Sequence, residues 1–272
     1  MQIYKGISIA SAAATKEEMR GIPHHLIEFL ELGEEFSVAD YVNLAKEKIT
    51  DIYSRKKQPI LVGGTGLYVN SLTEGITFTD QKTDEALREK LEKEFDLLGG
   101  EEMLRRLSEF DANSAETLNP KDRRRIIRAF EIFKTTGITK TQQDINSKAT
   151  ESPFETVFIG ITYREREALY DRINKRVDLM LQSGLLEEAE TTLDLKYGSG
   201  AAQAIGHKEL HAYLKGEKTF EEAVEDLKRE TRRYAKRQLT WFRRNEKINW
   251  IYADECEDIL QSALDIIERW AK

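Results

Sequence analysis

The chain has 272 residues, of which 33% are charged and 40% hydrophobic, and a formal net charge of −7. That length gives one large α/β domain, or one domain carrying a sizeable insert. With no apolar run near membrane-span length and no charged-then-apolar leader, a soluble, cytoplasmic globular protein is expected. Cys256 is the single cysteine, and His24, His25, His207 and His211 show no ligand-like spacing with it; this excludes a disulfide framework, gives no support to a zinc finger, and leaves oxygen ligands for any metal.

From the N-terminus, Met1–Gly6 starts abruptly, without the polarity of a frayed tail. Ser37 is then placed to cap a helix with Asp40 in the third helical position, and Val38, Tyr41, Val42, Ala45, Ile49 and Ile52 repeat at helical spacing, with Arg55, Lys56 and Lys57 at the polar end. Pro59-Ile60-Leu61-Val62 running into Gly63-Gly64-Thr65-Gly66 and Leu67-Tyr68-Val69 predicts strand, glycine turn and helix. Between about residues 81 and 150 the pattern is helical throughout. Leu87, Leu91, Phe95 and Leu98 make one stripe and Ile126, Ile127, Phe130 and Phe133 another, stopped at Gly137, so a helical insert over 81–150 is expected between two parts, 1–80 and 151–272, of an α/β core. A strand is predicted over 156–161, a long helix near 164–182 ending at Gly184, and a helix capped by Thr219 and Glu222 with Leu227, Thr231, Tyr234, Gln238 and Trp241 on its inner face. A strand over 248–252 and a helix closing at Trp270 complete the chain.

Four groups of residues carry candidate chemistry. The Gly63–Gly66 turn lies where α/β sheets place ligands, beyond a strand's carboxyl end, and offers the Thr65 hydroxyl. It is not a phosphate-cradling P-loop, because no G-x-x-x-x-G-K-[ST] spacing is present, and such a turn serves packing as readily as binding. Arg123, Arg124, Arg125 and Arg128 open a helix at the end where cations oppose the macrodipole; they suit phosphates or pairing with nearby acidic helices equally well. Arg172 and Arg176 lie four apart on one helix face, a forked pair fit for a pyrophosphate, against which stand intrahelical bridges to Glu165, Asp171 or Asp178. Finally, eight basic residues and one acidic residue fall between Lys228 and Arg244. Lys236, Arg237, Gln238, Trp241 and Arg243 interleave cations, amide and rings as single-stranded RNA readers do. Net acidity does not oppose this, since a polyanion responds to the local field.

Several segments together resemble the tRNA dimethylallyltransferase (tRNA isopentenyltransferase) family: MQIYKG at 1–6, GIPHHL at 21–26, FSVADY at 36–41, ILVGGTGLYV at 60–69, NPKDRRRIIRAFEIF at 119–133, RINKRVDLMLQSGLLEE at 172–188, QAIGHKEL at 203–210 and YAKRQLTWFR at 234–243. The resemblance implies a P-loop-NTPase-like parallel-sheet core with an insert that grips the tRNA anticodon stem-loop. It also implies transfer of a dimethylallyl group from dimethylallyl diphosphate to the N6 amine of the adenosine 3′ of the anticodon, with that base flipped out of its stack, Mg2+ on the diphosphate, and a monomeric enzyme. Residue by residue, Thr65 and Arg176 match catalytic positions. The tRNA-contact positions fall on Gln2, Arg88, Arg124, Arg125, Arg128, Gln203, Gly206, His207, Lys208, Lys236, Arg237, Gln238, Trp241 and Arg243, with His207 a ring where the family usually has tyrosine.

The departures bear on activity. The family's first strand, its lysine-bearing P-loop and the aspartate proposed as general base have no counterpart in residues 1–272, and Ser8–Ala14 replaces a motif that normally carries a glycine and a lysine. A truncated chain with uncovered apolar faces in its core, able to bind RNA but impaired in transfer, is therefore expected, with a catalytically inactive tRNA-binding remnant as the rival. An adenylate isopentenyltransferase, which lacks the insert and the cationic helix, ranks below both.

Overall fold

The computed structural model describes residues 1–78, 84–147 and 152–271, and the chain divides into two compact units, Met1–Leu72 with Glu155–Lys272, and Thr73–Phe154. The junctions expected at residues 80–81 and 150–151 lie outside the described residues.

In the first unit, two short helical turns, α1 (Ser8–Ser11) and α2 (Lys16–Met19), precede α3 (Val38–Ser54) and α4 (Gly66–Thr73). The capping box expected at Ser37 forms: the Ser37 hydroxyl accepts from the Asp40 N–H at 3.1 Å while the Asp40 carboxylate accepts from the Ser37 N–H at 2.9 Å. Two donors that the first turn would leave unpaired are thereby satisfied, and α3 then buries Tyr41, Val42 and Ala45. The chain returns after the second unit with β1 (Phe158–Thr162), which pairs in parallel with β2 (Ile248–Tyr252) in the register Phe158 to Ile248 through Thr162 to Tyr252. A parallel pair requires a long crossover. Here it runs through four helices between residues 166 and 242.

That second unit contains α5 (Glu85–Ser108), α6 (Ala112–Thr117), α7 (Arg123–Thr136) and α8 (Lys140–Ser147). Leu91, Met103, Leu107, Ile126, Ile127, Ala129 and Phe130 form its core, which includes members of both predicted stripes. Gly99 interrupts α5 at φ +77°, and Gly137 ends α7 in the left-handed conformation. The buried Asp111 carboxylate ties the start of α6 to α8, accepting from the Ser114 hydroxyl at 2.7 Å and from the Thr141 N–H at 3.1 Å.

The crossover then runs through α9 (Arg166–Gln182), α10 (Leu185–Thr191), a 3₁₀ turn at Ala201–Gln203, α11 (His207–Leu214) and α12 (Phe220–Phe242), with α13 (Ile259–Trp270) after β2. Val177, Leu185, Ala189, Leu210, Ala223 and Leu227 make a core shared by α9 to α12, and a second cluster gathers Tyr4, Ile7, Leu32, Ala201 and Ala204. No helix among the described residues is long and apolar enough to cross a membrane.

The fold is thus mixed α/β, mostly helical, with a small parallel sheet. One expectation is corrected: Pro59–Val62 is not a strand, and Ile60 and Val62 stand 82% and 84% exposed. A β conformation is held by ladder partners, and among the described residues β1 and β2 pair only with each other. Ile161 on β1 is exposed as well, so apolar β-type residues are left uncovered at two places in this unit.

Candidate functional site

The candidate nucleic-acid surface is built on α12. Its first turn is capped by Thr219 and Glu222, and Ala223 and Leu227 anchor it in the core. The cations of its middle are spent on acidic partners: Lys228 on Asp178 at 2.6 Å, Arg229 on Asp226 at 2.5 Å, Arg232 on Glu225 at 3.1 Å and Arg233 on Glu230 at 2.6 Å. Lys236, Arg237, Arg243 and Arg244 are exposed and have no carboxylate partner among the described residues. Arg237 lies only against the Tyr234 ring, 5.7 Å from its centroid. A positive field is therefore concentrated at the C-terminal half of one helix in a chain that is acidic overall.

The glycine turn docks onto that half. Gln238 donates through Nε2 to the Gly64 carbonyl at 3.1 Å, and Trp241 donates through Nε1 to Asn70 at 3.5 Å. A Cβ on Gly66 would lie 2.1 Å from Trp241 Cδ1, and one on Gly64 would lie 1.8 Å from Gln238 Nε2. Gly66 is thus required by close approach to the Trp241 indole, while Gly64 leaves room for the Gln238 amide; both glycines pack, and Thr65 between them stays exposed, its hydroxyl without a partner among the described residues. Behind the turn Tyr68 stacks on Tyr41 at 4.6 Å, and burial pushes the Tyr41 hydroxyl up to about 12. On α9, Arg172 and Arg176 are exposed, and neither makes the intrahelical bridge that would have explained it structurally. The turn that carries Thr65 is thus brought onto Gln238 and Trp241, and among the described residues no hydrogen bond or ion pair joins Arg176 to them.

A second constellation lies inside the unit. Glu188 on α10 accepts the backbone N–H of Ile9 at 2.7 Å and of Ala10 at 2.9 Å, and contacts His207 Nε2 at 2.9 Å. His207 Nδ1 meets Thr192 and Tyr197, each at 3.0 Å, and His211 Nε2 meets the Ala189 carbonyl at 2.9 Å. Burial pushes the Glu188 carboxyl up, but the hydrogen bonds from His207, Ala10 and Ile9 outweigh it and hold the carboxyl below its ordinary range; burial lowers His211. Gln2 donates to the carbonyl of Ala12 at 2.9 Å, so its amide braces the same 8–12 turn.

In the helical unit, Glu131 is buried on α7 and takes Arg88 Nε at 2.6 Å and Nη2 at 3.1 Å, with Arg128 Nη1 at 3.2 Å. Arg123 pairs with Asp96 at 2.8 Å and Arg125 lies 3.9 Å from Asp122, whereas Arg124 is exposed without an acidic partner among the described residues. No three His, Cys, Asp or Glu side chains gather around a possible metal position among the described residues. The side chains present therefore do not form a magnesium cage of their own.

Set against known proteins, residues 2–245 match the model of the family described as IPP transferase. The chain belongs to the IPP transferase family. A tRNA dimethylallyltransferase of a Thermoanaerobacter species is 43% identical over 98% of this chain and 86% of its own length, and that of Halalkalibacterium halodurans is 47% identical over 92% and 80%. Among solved structures, the tRNA isopentenylpyrophosphate transferase of Bacillus halodurans superposes with a TM-score of 0.69 at 43% identity, covering 99% of this chain and 84% of that one. A eukaryotic dimethylallyltransferase acting on tRNA reaches 0.79 at 28% identity, covering 98% and 69%.

Within this IPP transferase the expected tRNA-contact residues divide by exposure. Gln203, Lys208, Lys236, Arg237 and Arg243 are exposed and Gln238 and Trp241 are half-buried at the turn. His207 is 1% exposed with both ring nitrogens engaged, and Gly206 is buried at φ +112° at the start of α11, where an added Cβ would lie 3.3 Å from the Ala10 side chain. Glu131 and Glu188 went unnoticed in the sequence; the available signal was a glutamate set inside an otherwise apolar stripe.

Proposed function

We propose that this protein transfers a dimethylallyl group from dimethylallyl diphosphate to the N6 amine of the adenosine 3′ of the anticodon in tRNA, in the cytoplasm and as a monomer. The amine displaces diphosphate, a C–N bond replaces a C–O bond, and the amine gives up a proton. The observation that supports the reading is the exposed Thr65 hydroxyl on a turn docked onto Gln238 and Trp241, in the same stretch of chain that carries the unpaired Lys236, Arg237, Arg243 and Arg244. RNA phosphates would meet Lys236, Arg237 and Arg243, and Arg176 would take the diphosphate. Magnesium would travel on the diphosphate and ease its departure as a leaving group. A second reading is RNA binding without chemistry, which the exposed Lys236, Arg237, Arg243 and Arg244 would serve equally well.

The test combines filter binding of an unmodified anticodon stem-loop across a salt series with transfer from radiolabelled dimethylallyl diphosphate. Arg237→Ala is expected to weaken binding and to flatten the salt slope by about one unit. RNA that binds and is labelled supports the enzyme; RNA that binds unlabelled supports the second reading. Absence of binding refutes both.

A further inference from the structure

Glu131 is 4% exposed and lies on the face of α7 that forms the core of its unit. Burying a carboxylate is costly unless cations and donors satisfy it, and an apolar residue of similar size would stabilise this position at least as well. Its partners are unusual in kind. Arg88 from α5 grips it with two nitrogens and Arg128 with one, yet those arginine side chains remain 45% and 40% exposed. One internal carboxylate thus engages two guanidinium groups at the surface, one from each of two helices. Arg124, one turn before Arg128, is exposed on the same side of α7.

We infer that Glu131 is a positioning residue for RNA: it never meets the ligand, but it sets Arg88 and Arg128 in the orientation in which they receive phosphates. An arginine free to wander gives up rotamer entropy on binding, whereas one already held gives up little. The inference rests on the tRNA reading above. It also makes a prediction whose sign separates it from simple electrostatics. Removing a negative charge from beneath a cationic surface raises the field and should tighten RNA; removing the residue that aims the arginines should loosen it.

The experiment measures binding of the anticodon stem-loop over a salt series for the parent chain, Glu131→Gln, Arg88→Ala/Arg128→Ala, and the triple variant, with urea unfolding to establish that each is folded. Glu131→Gln is expected to bind roughly three- to tenfold more weakly, with a salt slope lower by up to about one unit, despite its extra positive charge. In the Arg88→Ala/Arg128→Ala background the same substitution is expected to change nothing further. A folded Glu131→Gln that binds as well as the parent or better overturns the inference, as does an undiminished effect in the double-alanine background. Should Glu131→Gln fail to fold, Glu131→Asp keeps the charge and shortens the reach; weaker binding then supports positioning and parental binding overturns it. A parent chain that binds no stem-loop removes the tRNA reading and this inference together, whereas a binding parent with an indifferent Glu131→Gln removes only the inference.

Discussion

Gly66→Ala tests whether the glycine turn is shaped by its fit to α12. The added Cβ would come within 2.1 Å of Trp241 Cδ1, 2.3 Å of Nε1 and 2.6 Å of Cγ, so it meets the body of the indole and not a mobile tip. Overpacking of this kind costs about 1–3 kcal/mol, offset by about 0.4–1 kcal/mol from the reduced freedom of the unfolded chain. A net loss of about 1.3 kcal/mol follows from the middle of the two ranges, with extremes of about 0 and 2.6 kcal/mol, and the central figure is worth several degrees in Tm for a unit of this size. Gly64→Ala is the internal control. Its clash, at 1.8 Å, is with the Gln238 amide, the end of a flexible side chain that can swing aside at the loss of one hydrogen bond, worth about 1 kcal/mol. Urea unfolding followed by tryptophan fluorescence and circular dichroism measures both. Pairing Gly66→Ala with Trp241→Ala should cost less than the two changes summed, because the truncated ring leaves room for the methyl. A Gly66→Ala protein as stable as the parent, or additive costs in the double variant, would refute the view that close approach to Trp241 fixes this glycine.

Gly100→Ala should destabilise the helical unit by more than Gly66→Ala does the other, because its Cβ would fall 1.8 Å from the backbone carbonyl of Pro120, which no rotamer change can relieve; thermal unfolding of the two variants ranks them. Acidification should weaken the first unit in two stages. Glu188 and His211 both have depressed folded-state values, so each contributes stability that is complete above its unfolded value, about 6.5 for histidine and about 4.3 for glutamate, and is lost as pH falls through the folded one. Urea midpoints between pH 8 and 3 follow this, and His211→Asn should abolish the upper stage while sparing the lower. Arg176→Ala should raise the dimethylallyl diphosphate concentration needed for half-maximal transfer by about tenfold or more and leave stem-loop affinity unchanged, since a charge-assisted bond is worth about 1.5–3 kcal/mol; an equal loss of RNA affinity would remove Arg176 from the diphosphate.

Much of this architecture is local in origin, and that part was legible. The Ser37–Asp40 and Thr219–Glu222 caps, the left-handed stop at Gly137, and the strand at 248–252 depend on neighbours a few residues away, and each appears where its residues predict it. Pro59–Val62 shows the limit. Its apolar run satisfies every local rule for a strand, but a strand is defined by the backbone beside it, and no run of residues states whether that backbone is present. The turn that follows was legible in conformation and ambiguous in purpose, for the same reason: Gln238 and Trp241, against which the glycines pack, stand more than 170 positions away.

The charges divide along the same line, and they matter most for function. In sequence, Lys228 to Arg244 is one cationic stretch, and the four arginines from Arg123 to Arg128 are another. Folding resolves each into paired and unpaired members. Asp178 and Glu225 on neighbouring surface neutralise Lys228 and Arg232, Asp96 takes Arg123, and the last turns of α12 are left with Lys236, Arg237, Arg243 and Arg244 to face solvent. A surface ion pair contributes little to stability, typically about 0–1 kcal/mol. Its larger effect here is to cancel field along the middle of α12 and leave it at the helix's last turns and just beyond them. An acidic protein can then present a short cationic strip to a polyanion, and the contribution of this stretch to the salt dependence of binding should follow its few unpaired residues, not the eight cations that the sequence displays.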